Sequence, residues 1–246
     1  MRPAAFVARS LRHYWRTHLG VLAAAAVTSA VLVGALSLGD CVRHSLRELA
    51  LLRLGEVDLA LVGGDRFFRA ALAEEISVDL AARAAPVVSL PCSAVNVDAN
   101  VRVGGVEVLG VDERFWALGG EGPLPLDADE AAVSVNLARR LGISLGQTLL
   151  LRVAKPSAIS RDAPMSATSD ASAAIRLTVA AVVSDADFGR FSLRADQVAP
   201  LNVFVPRAVL AKATGLAGRA NLLLVDLPGD QCEPGSAQQS LATHMD

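Results

Sequence analysis

The sequence has 246 residues, of which 52% are hydrophobic but only 4% aromatic, and its formal net charge is −2. The apolar content therefore comes mainly from alanine, valine and leucine, and no basic surplus points to a nucleic-acid partner. After a transmembrane segment and a short N-terminal segment are set aside, roughly two hundred residues remain. That length is enough for one domain, or two small ones, with a real core.

An uncharged stretch near the N-terminus, Leu19 to Leu38, is long enough to cross a membrane. About twenty residues, rising 1.5 Å each, cross a hydrocarbon core of roughly 30 Å as a helix. We therefore predict a transmembrane helix over residues 19–39. Two alternatives stay open: a buried helix of a soluble protein, and a signal peptide cleaved near Ala35-Leu36-Ser37. The apolar run exceeds the usual h-region of about 7 to 15 residues, which favours an uncleaved anchor.

The charges that flank this stretch predict its orientation. The first charge after it is Asp40, and four arginines without an acidic residue precede it: Arg2, Arg9, Arg12 and Arg16. By the positive-inside rule, the N-terminus lies in the cytoplasm and the main domain outside. Residues 1–18 are predicted to form an amphipathic helix on the cytoplasmic membrane surface, with lipid headgroups as its partner. We expect a single-pass protein of the bacterial cell (inner) membrane with a periplasmic or extracytoplasmic domain.

Residues 40–55 are predicted to continue the transmembrane helix as a helical stalk. Neither proline nor glycine occurs from Asp40 to Leu54, and Val42, Leu46 and Leu49 form one apolar stripe. Gly55 is expected to end the helix as a left-handed C-cap.

Residues 56–227 are predicted to form the core, with about seven or eight strands and four short helices in mixed order, hence the α+β class. Asp65 is expected to cap a helix that includes Phe67 and Phe68. Gly104-Gly105 is expected to be the turn of a hairpin within Val101 to Val111. Lys155 to Ala174 is expected to be a mobile insertion or loop, and residues 228–246 a frayed, truncated polar tail.

Side chains that perform catalysis are scarce in the predicted core. The four histidines all lie outside it, which removes the commonest general base and metal ligand: His13, His18, His44 and His244. Cys92 is the only cysteine inside, where a small buried hydrophobe is the expected role, while Cys41 and Cys232 lie outside. Paired carboxylates stay open, although each fits a solvated face or a turn better: Glu74-Glu75, Asp127 with Asp129, and Asp185 with Asp187. We predict a non-enzyme with no catalytic residue, no cofactor and no metal site.

Several segments occur in an order that is typical of one protein family. GDCVRHSL, residues 39–46, follows the apolar stretch. VSVNLARRLGISLGQTLLLRV, residues 133–153, predicts a strand, a helix over Asn136 to Leu141, a turn at Leu145-Gly146 and a strand from Gln147. LTVAAVVSD, LNVFVPRAVL and RANLLLV come later. Together, from Ser10 to about Asp226, they resemble FtsX-like, MacB-like ABC transporter permeases. Cys41 replaces the family's serine, and Gln147 its usual aspartate.

This resemblance implies the first transmembrane helix and the MacB-type core of a permease subunit, which a cytoplasmic ABC ATPase drives. It implies transport or mechanotransmission, with a lipid, lipoprotein or amphiphile as cargo. Family members carry three further spans after the core, and the ATPase grips a loop between two of them. The resemblance therefore implies a truncated or split permease, completed by a missing permease half or a second permease copy.

Two other classes of function stay open. The first is a stand-alone, membrane-anchored extracytoplasmic binding or sensor module. The second, a membrane-anchored hydrolase, is disfavoured by the absence of histidine from residues 56–227. The coding sequence that follows would separate the first from a permease, because a frame with three spans favours the split permease.

Overall fold

A computed structural model describes residues 9–119, 126–156, 172–185, 187–194 and 198–228. The chain divides into two compact units, residues 1–49 and 50–246. The boundary falls inside the longest helix, α1 (Trp15–Leu54).

The first unit consists, in its described part, of helical residues. Residues 9–13 are helical, Tyr14 forms a bend, and α1 follows. Within α1, Trp15–Leu51 is long and apolar enough to cross a membrane, and none of its most apolar window is buried inside the protein. The predicted span, 19–39, lies within α1, as do residues 40–54 of the predicted stalk. Residues 1–8 of the predicted amphipathic helix lie outside the described residues.

The described part of the second unit contains ten strands and four further helices. The strands are β1 (Leu59–Val62), β2 (Phe68–Arg69), β3 (Arg83–Asn96), β4 (Val101–Val111), β5 (Glu130–Ser134), β6 (Thr148–Ala154), β7 (Ser172–Val183), β8 (Asn202–Pro206), β9 (Arg219–Ala220) and β10 (Leu222–Asp226). The helices are α2 (Leu72–Asp79), α3 (Glu113–Gly119), α4 (Val135–Leu141) and α5 (Arg207–Thr214). The predicted α+β class is confirmed.

Six of these strands close into a ring. Strands β3, β4, β8, β5, β7 and β6 pair in that order, and β6 also pairs with β3. The β4–β8 and β5–β7 pairs are parallel, whereas the other neighbours are antiparallel. Because β3 has 14 residues, its first part extends beyond the ring and pairs with β10, which in turn pairs with β1.

Alternation along the ring strands explains the main core. All six strands contribute alternating residues to one apolar cluster, for example Leu149, Leu151 and Val153 of β6, so this face is the interior of the ring. Helices α4 and α5 contribute to the same cluster through Leu137, Leu141 and Leu210, each of them fully buried. A second cluster lies on the opposite face of β3, β4 and β8, where α3 packs, and a third joins α2 to β3 and β10.

The two expected local structures at Gly104-Gly105 and Asp65 are wrong. β4 runs unbroken through the glycine pair, which forms a β-bulge: Cys92 pairs with Val106 and Ala94 with Val103, so two glycines lie opposite one residue of β3. Gly105 has a φ of 66°, which suits such a bulge. The hairpin turn lies at residues 97–100 instead. After Asp65, Phe68 pairs with Ala220 in a short strand, so the helix begins only at Leu72.

The expected loop and tail fall largely outside the described residues. Residues 157–171 and 229–246 are not described. Residues 172–174, which were expected to belong to the loop, are the first residues of β7, where Ala173 pairs with Val153 of β6.

Candidate functional site

The turn that follows α1 is fixed to the core of the second unit. Gly55 adopts the left-handed conformation expected of a C-cap, with a φ of 57°. Beside it, Glu56 N donates to Leu118 O at 3.0 Å, and Val57 N donates to Leu54 O at 3.1 Å. A Cβ added at Gly55 would lie 2.8 Å from Leu118 O. Only glycine therefore permits this close approach between the turn and the end of α3.

Arg83 joins four segments of the core around this turn. Its Nε donates to Asp226 Oδ2 at 2.7 Å, and its Nη1 donates to Ala117 O at 3.0 Å. Its Nη2 contacts the Glu56 carboxylate. The hydrogen bond to Glu56, and then that to Asp226, raises the pKa of Arg83. One guanidinium thus links the start of β3, the end of β10, α3 and the residue that follows Gly55.

Asp58 also connects the segment after α1 to β10 and the residue that follows it, through two hydrogen bonds. Its N–H donates to Val225 O, and its Oδ2 accepts from Leu227 N, both at 3.0 Å. We call Gly55, Glu56, Asp58, Arg83 and Asp226 the junction. Its hydrogen bonds connect the turn after α1 to α3, β3 and β10.

An aromatic cluster supports the junction from inside. Phe115 of α3 contacts Phe188 and Phe204, with ring centroids 4.9 Å and 5.8 Å apart. Phe188 packs so closely on Gly119 that a Cβ there would lie 2.4 Å from its ring. Because these rings are in close contact, they resist displacement of α3, to which Glu56 and Arg83 bind.

The segment VSVNLARRLGISLGQTLLLRV, residues 133–153, folds as its pattern predicts. It spans the end of β5, α4, a turn and β6. Ser134 caps α4, because its Oγ accepts from Leu137 N at 3.4 Å, and Gly142 ends the helix with a φ of 56°. Gly146 has a φ of 80° in the following turn. These residues shape the ring, whereas GDCVRHSL lies in α1.

The described residues that were singled out as possible chemical groups do not form a metal site. Among the described residues, no group of three or more His, Cys, Asp or Glu side chains could hold a metal ion. Cys92 is a half-buried free thiol, and burial raises its pKa to about 12 with a smaller contribution from Glu107. The sequence did not point to Arg83, because its partners lie 27, 34 and 143 residues away in the chain.

No family model matches the sequence, and no curated protein matches it. Among solved structures, the periplasmic region of MacB from Actinobacillus actinomycetemcomitans is 13% identical, with 75% of this chain and 84% of that chain covered and a TM-score of 0.46. The extracellular domain of the noncanonic ABC-type transporter YknZ from Gram-positive bacteria is 12% identical, with 73% and 84% covered and a TM-score of 0.45. The chain is similar to these extracytoplasmic domains.

Proposed function

We propose that the chain is the N-terminal part of an ABC transporter permease subunit. The observation that carries the proposal is that α1 joins several relevant segments in one helix. This helix includes a stretch able to cross a membrane and the family-like segment GDCVRHSL, and it ends at the junction. In this proposal residues 1–18 lie on the cytoplasmic surface, 19–39 span the inner membrane, 40–55 form a stalk and 56–227 work outside the cytoplasm.

The junction gives the proposal a physical basis. A helix resists local bending because each turn is closed by backbone hydrogen bonds, so it transmits displacement better than a loop does. At its end, Glu56 and Asp58 bind α3 and β10 directly, and Arg83 adds β3. Movement of the last turn of α1 would therefore reach α3 and two strands of the core, β3 and β10.

The energy source in this proposal is a partner. An ABC ATPase hydrolyses ATP in the cytoplasm and contacts the membrane half of the permease. The chain itself contributes no catalytic residue and no cofactor. Its cargo is a lipid, a lipoprotein or another amphiphile, and membrane lipid surrounds residues 19–39.

The experiment is purification of the tagged full chain from membranes of its native organism in mild detergent. We expect an ABC ATPase and a membrane protein with several spans to purify with it, together with ATPase activity that vanadate inhibits. The matched control is the same chain with residues 19–39 replaced by an unrelated single span of the same orientation. This control should retain the core and lose the other membrane subunit.

A stand-alone binding or sensor module gives the opposite result. In that case the chain purifies without an ATPase at any detergent concentration that preserves its fold. Recovery of the folded chain alone, in cells that express the neighbouring genes, would overturn the permease proposal.

A further inference from the structure

A cavity of about 400 Å³ lies at the edge of the core where two parallel strands end. β4 and β8 pair in parallel, from Glu107 with Asn202 to Val111 with Pro206, and each is followed by a helix. The carboxyl ends of neighbouring parallel strands are a common place for ligands. A volume of this size falls in the range of roughly 300 to 1,000 Å³ typical of small-molecule pockets.

The walls of the cavity carry balanced charge beside an aromatic side. Its lining includes two acidic residues, two basic residues and an indole: Asp112, Glu113, Arg114, Arg207 and Trp116. Trp116 is held in place because it packs edge-on against Phe115, with ring centroids 5.1 Å apart. The cavity therefore offers both signs of charge to one small molecule.

Two of these charged side chains, Arg207 and Asp112, lie close to one another without a hydrogen bond between them. Arg207 and Asp112 form an ion pair whose Nε and Oδ2 atoms are 3.7 Å apart, which is too far for a hydrogen bond. Arg207 Nε and Asp112 Oδ1 are both shielded from solvent, and neither has a hydrogen-bond partner among the described residues. Buried polar atoms are nearly always paired, so these two atoms of opposite sign are suited to hydrogen bonds with a ligand in the cavity.

Close packing of α5 on β4 places Arg207 near Asp112. A Cβ added at Gly110 would lie 3.0 Å from Leu210 Cδ2 and 3.3 Å from Arg207 Cα. Because Gly110 has no side chain, α5 approaches β4, and Arg207 reaches the residue that follows the end of that strand, Asp112.

We propose that this cavity binds a small zwitterion, with its phosphate or carboxylate group on Arg207 and its ammonium group on Asp112. The Trp116 ring lies beside the ligand and attracts its cationic end. Such a group occurs in soluble metabolites and in lipid headgroups. The inference is independent of the permease proposal, because it concerns recognition only.

The test uses the full chain in nanodiscs with Trp15→Phe, which leaves Trp116 as the sole tryptophan. Phosphoethanolamine is the probe, and ethanolamine and inorganic phosphate are its two separate halves. We expect a saturable change in Trp116 fluorescence with phosphoethanolamine and at least tenfold weaker binding of either half. Equal responses to phosphoethanolamine and phosphate, or no saturable response, would overturn the proposal.

Variants locate the site. Arg207→Gln and Asp112→Asn should each weaken phosphoethanolamine binding at least tenfold, whereas Arg176→Gln, at an exposed position of β7, should not. If Arg207→Gln lowers the melting temperature strongly, Arg207→Lys keeps the positive charge and should bind with intermediate affinity. Unchanged binding in folded Arg207→Gln and Asp112→Asn proteins would contradict the assignment.

The lipid composition of the nanodisc distinguishes a lipid headgroup from a soluble metabolite as the ligand. If phosphatidylethanolamine discs weaken binding of the soluble probe relative to phosphatidylglycerol discs, the headgroup occupies the cavity. Equal affinities in the two discs assign it to a soluble zwitterion.

Discussion

Arg83 Nε donates to Asp226 Oδ2 at 2.7 Å, although 143 residues separate the two in the chain. The two residues are also direct cross-strand partners, at the start of β3 and the end of β10. Asp226 is the more buried of the two, with 17% of its side chain exposed against 54% for Arg83. Removal of the guanidinium therefore leaves a largely buried carboxylate without its charge partner.

Arg83→Met should destabilise the second unit modestly. We expect a loss of about 1 kcal/mol in the free energy of unfolding, since exposed ion pairs contribute little and a network somewhat more. The loss should shrink in high salt, because screening already weakens the wild-type pairs. Urea unfolding, followed by Trp116 fluorescence in the Trp15→Phe background, measures it.

The matched control for Arg83→Met is Arg176→Met on β7, for which the described residues provide no ion pair. It should change stability by less than about 0.5 kcal/mol. If the two substitutions lower the free energy of unfolding equally, the ion pairs of Arg83 do not stabilise the junction.

The sequence pattern predicted those parts of the fold that depend on neighbouring residues. The helix over Asn136 to Leu141 and the turn at Leu145-Gly146 depend on local backbone geometry, and both predictions hold. The sequence pattern gave the wrong prediction where pairing with a strand distant in the sequence determines the local structure. Phe68 belongs to a strand because Ala220 pairs with it, and Gly104-Gly105 form a bulge because β3 continues opposite them.

The junction could not be predicted for the same reason. Arg83 looks like an ordinary charge before a strand, and its role exists only after Glu56 and Asp226 have been brought beside it. Gly55 was recognisable as a helix end. Its contact with Leu118 O depends on how α3 packs, which no local pattern specifies.

Gly55→Ala should destabilise the protein more than the same change at a comparable helix end. Alanine at a φ of 57° is strained, and its Cβ would lie 2.8 Å from Leu118 O. Gly142 is the matched control, because it also ends a helix, has a φ of 56° and has no atom within 4 Å of an added Cβ. We expect Gly142→Ala to cost about 1 kcal/mol and Gly55→Ala clearly more. Equal losses in urea unfolding would show that the turn can move away from α3.

The Cys92 thiol should react slowly with alkylating reagents. Its pKa of about 12 leaves, at pH 8, a thiolate population about a thousandfold below that of a free cysteine with a pKa near 8.5. In a Cys41→Ser, Cys232→Ser background, alkylation by iodoacetamide should be slow in the native protein and fast in urea. The native rate should rise about tenfold per pH unit towards pH 12.

The same pKa predicts how stability depends on pH. Between about pH 8.5 and pH 12 the unfolded chain loses the Cys92 proton while the native protein keeps it. The unfolded state then binds fewer protons, so stability falls as the pH rises through this range. Cys92→Ala should remove this part of the pH dependence. A native alkylation rate similar to that in urea would contradict both expectations.

The orientation that we propose for the chain in the membrane predicts opposite labelling of two positions. In a cysteine-free background, Ala99→Cys at the exposed β3–β4 turn should react with an impermeant maleimide in intact spheroplasts. Ser10→Cys, before the span, should react only after permeabilisation, because the preceding arginines hold the N-terminus inside. A mature N-terminus near Leu38, found by mass spectrometry, would instead identify a cleaved signal peptide.

Asn202 should stabilise the loop that carries Phe188 and Phe191. This asparagine is 1% exposed, and its Nδ2 donates to Gly189 O at 3.2 Å and to Phe191 O at 2.8 Å. Asn202→Ala would leave both carbonyls without these bonds in a dry environment. We expect a loss of about 2 to 3 kcal/mol, because each buried group left unpaired costs roughly 1 to 3 kcal/mol.

The aromatic cluster should report the same change. Phe191 packs on Phe115, with ring centroids 5.4 Å apart, and Phe115 packs on Trp116. Release of the loop should therefore reduce the near-ultraviolet circular dichroism of the native protein. Asn136→Ala is the matched control, since among the described residues Asn136 Nδ2 has no hydrogen-bond partner, and its Oδ1 accepts from the exposed Arg139. If Asn136→Ala costs as much stability as Asn202→Ala, the two buried amide bonds do not hold the loop, and packing of the phenylalanine rings alone must do so.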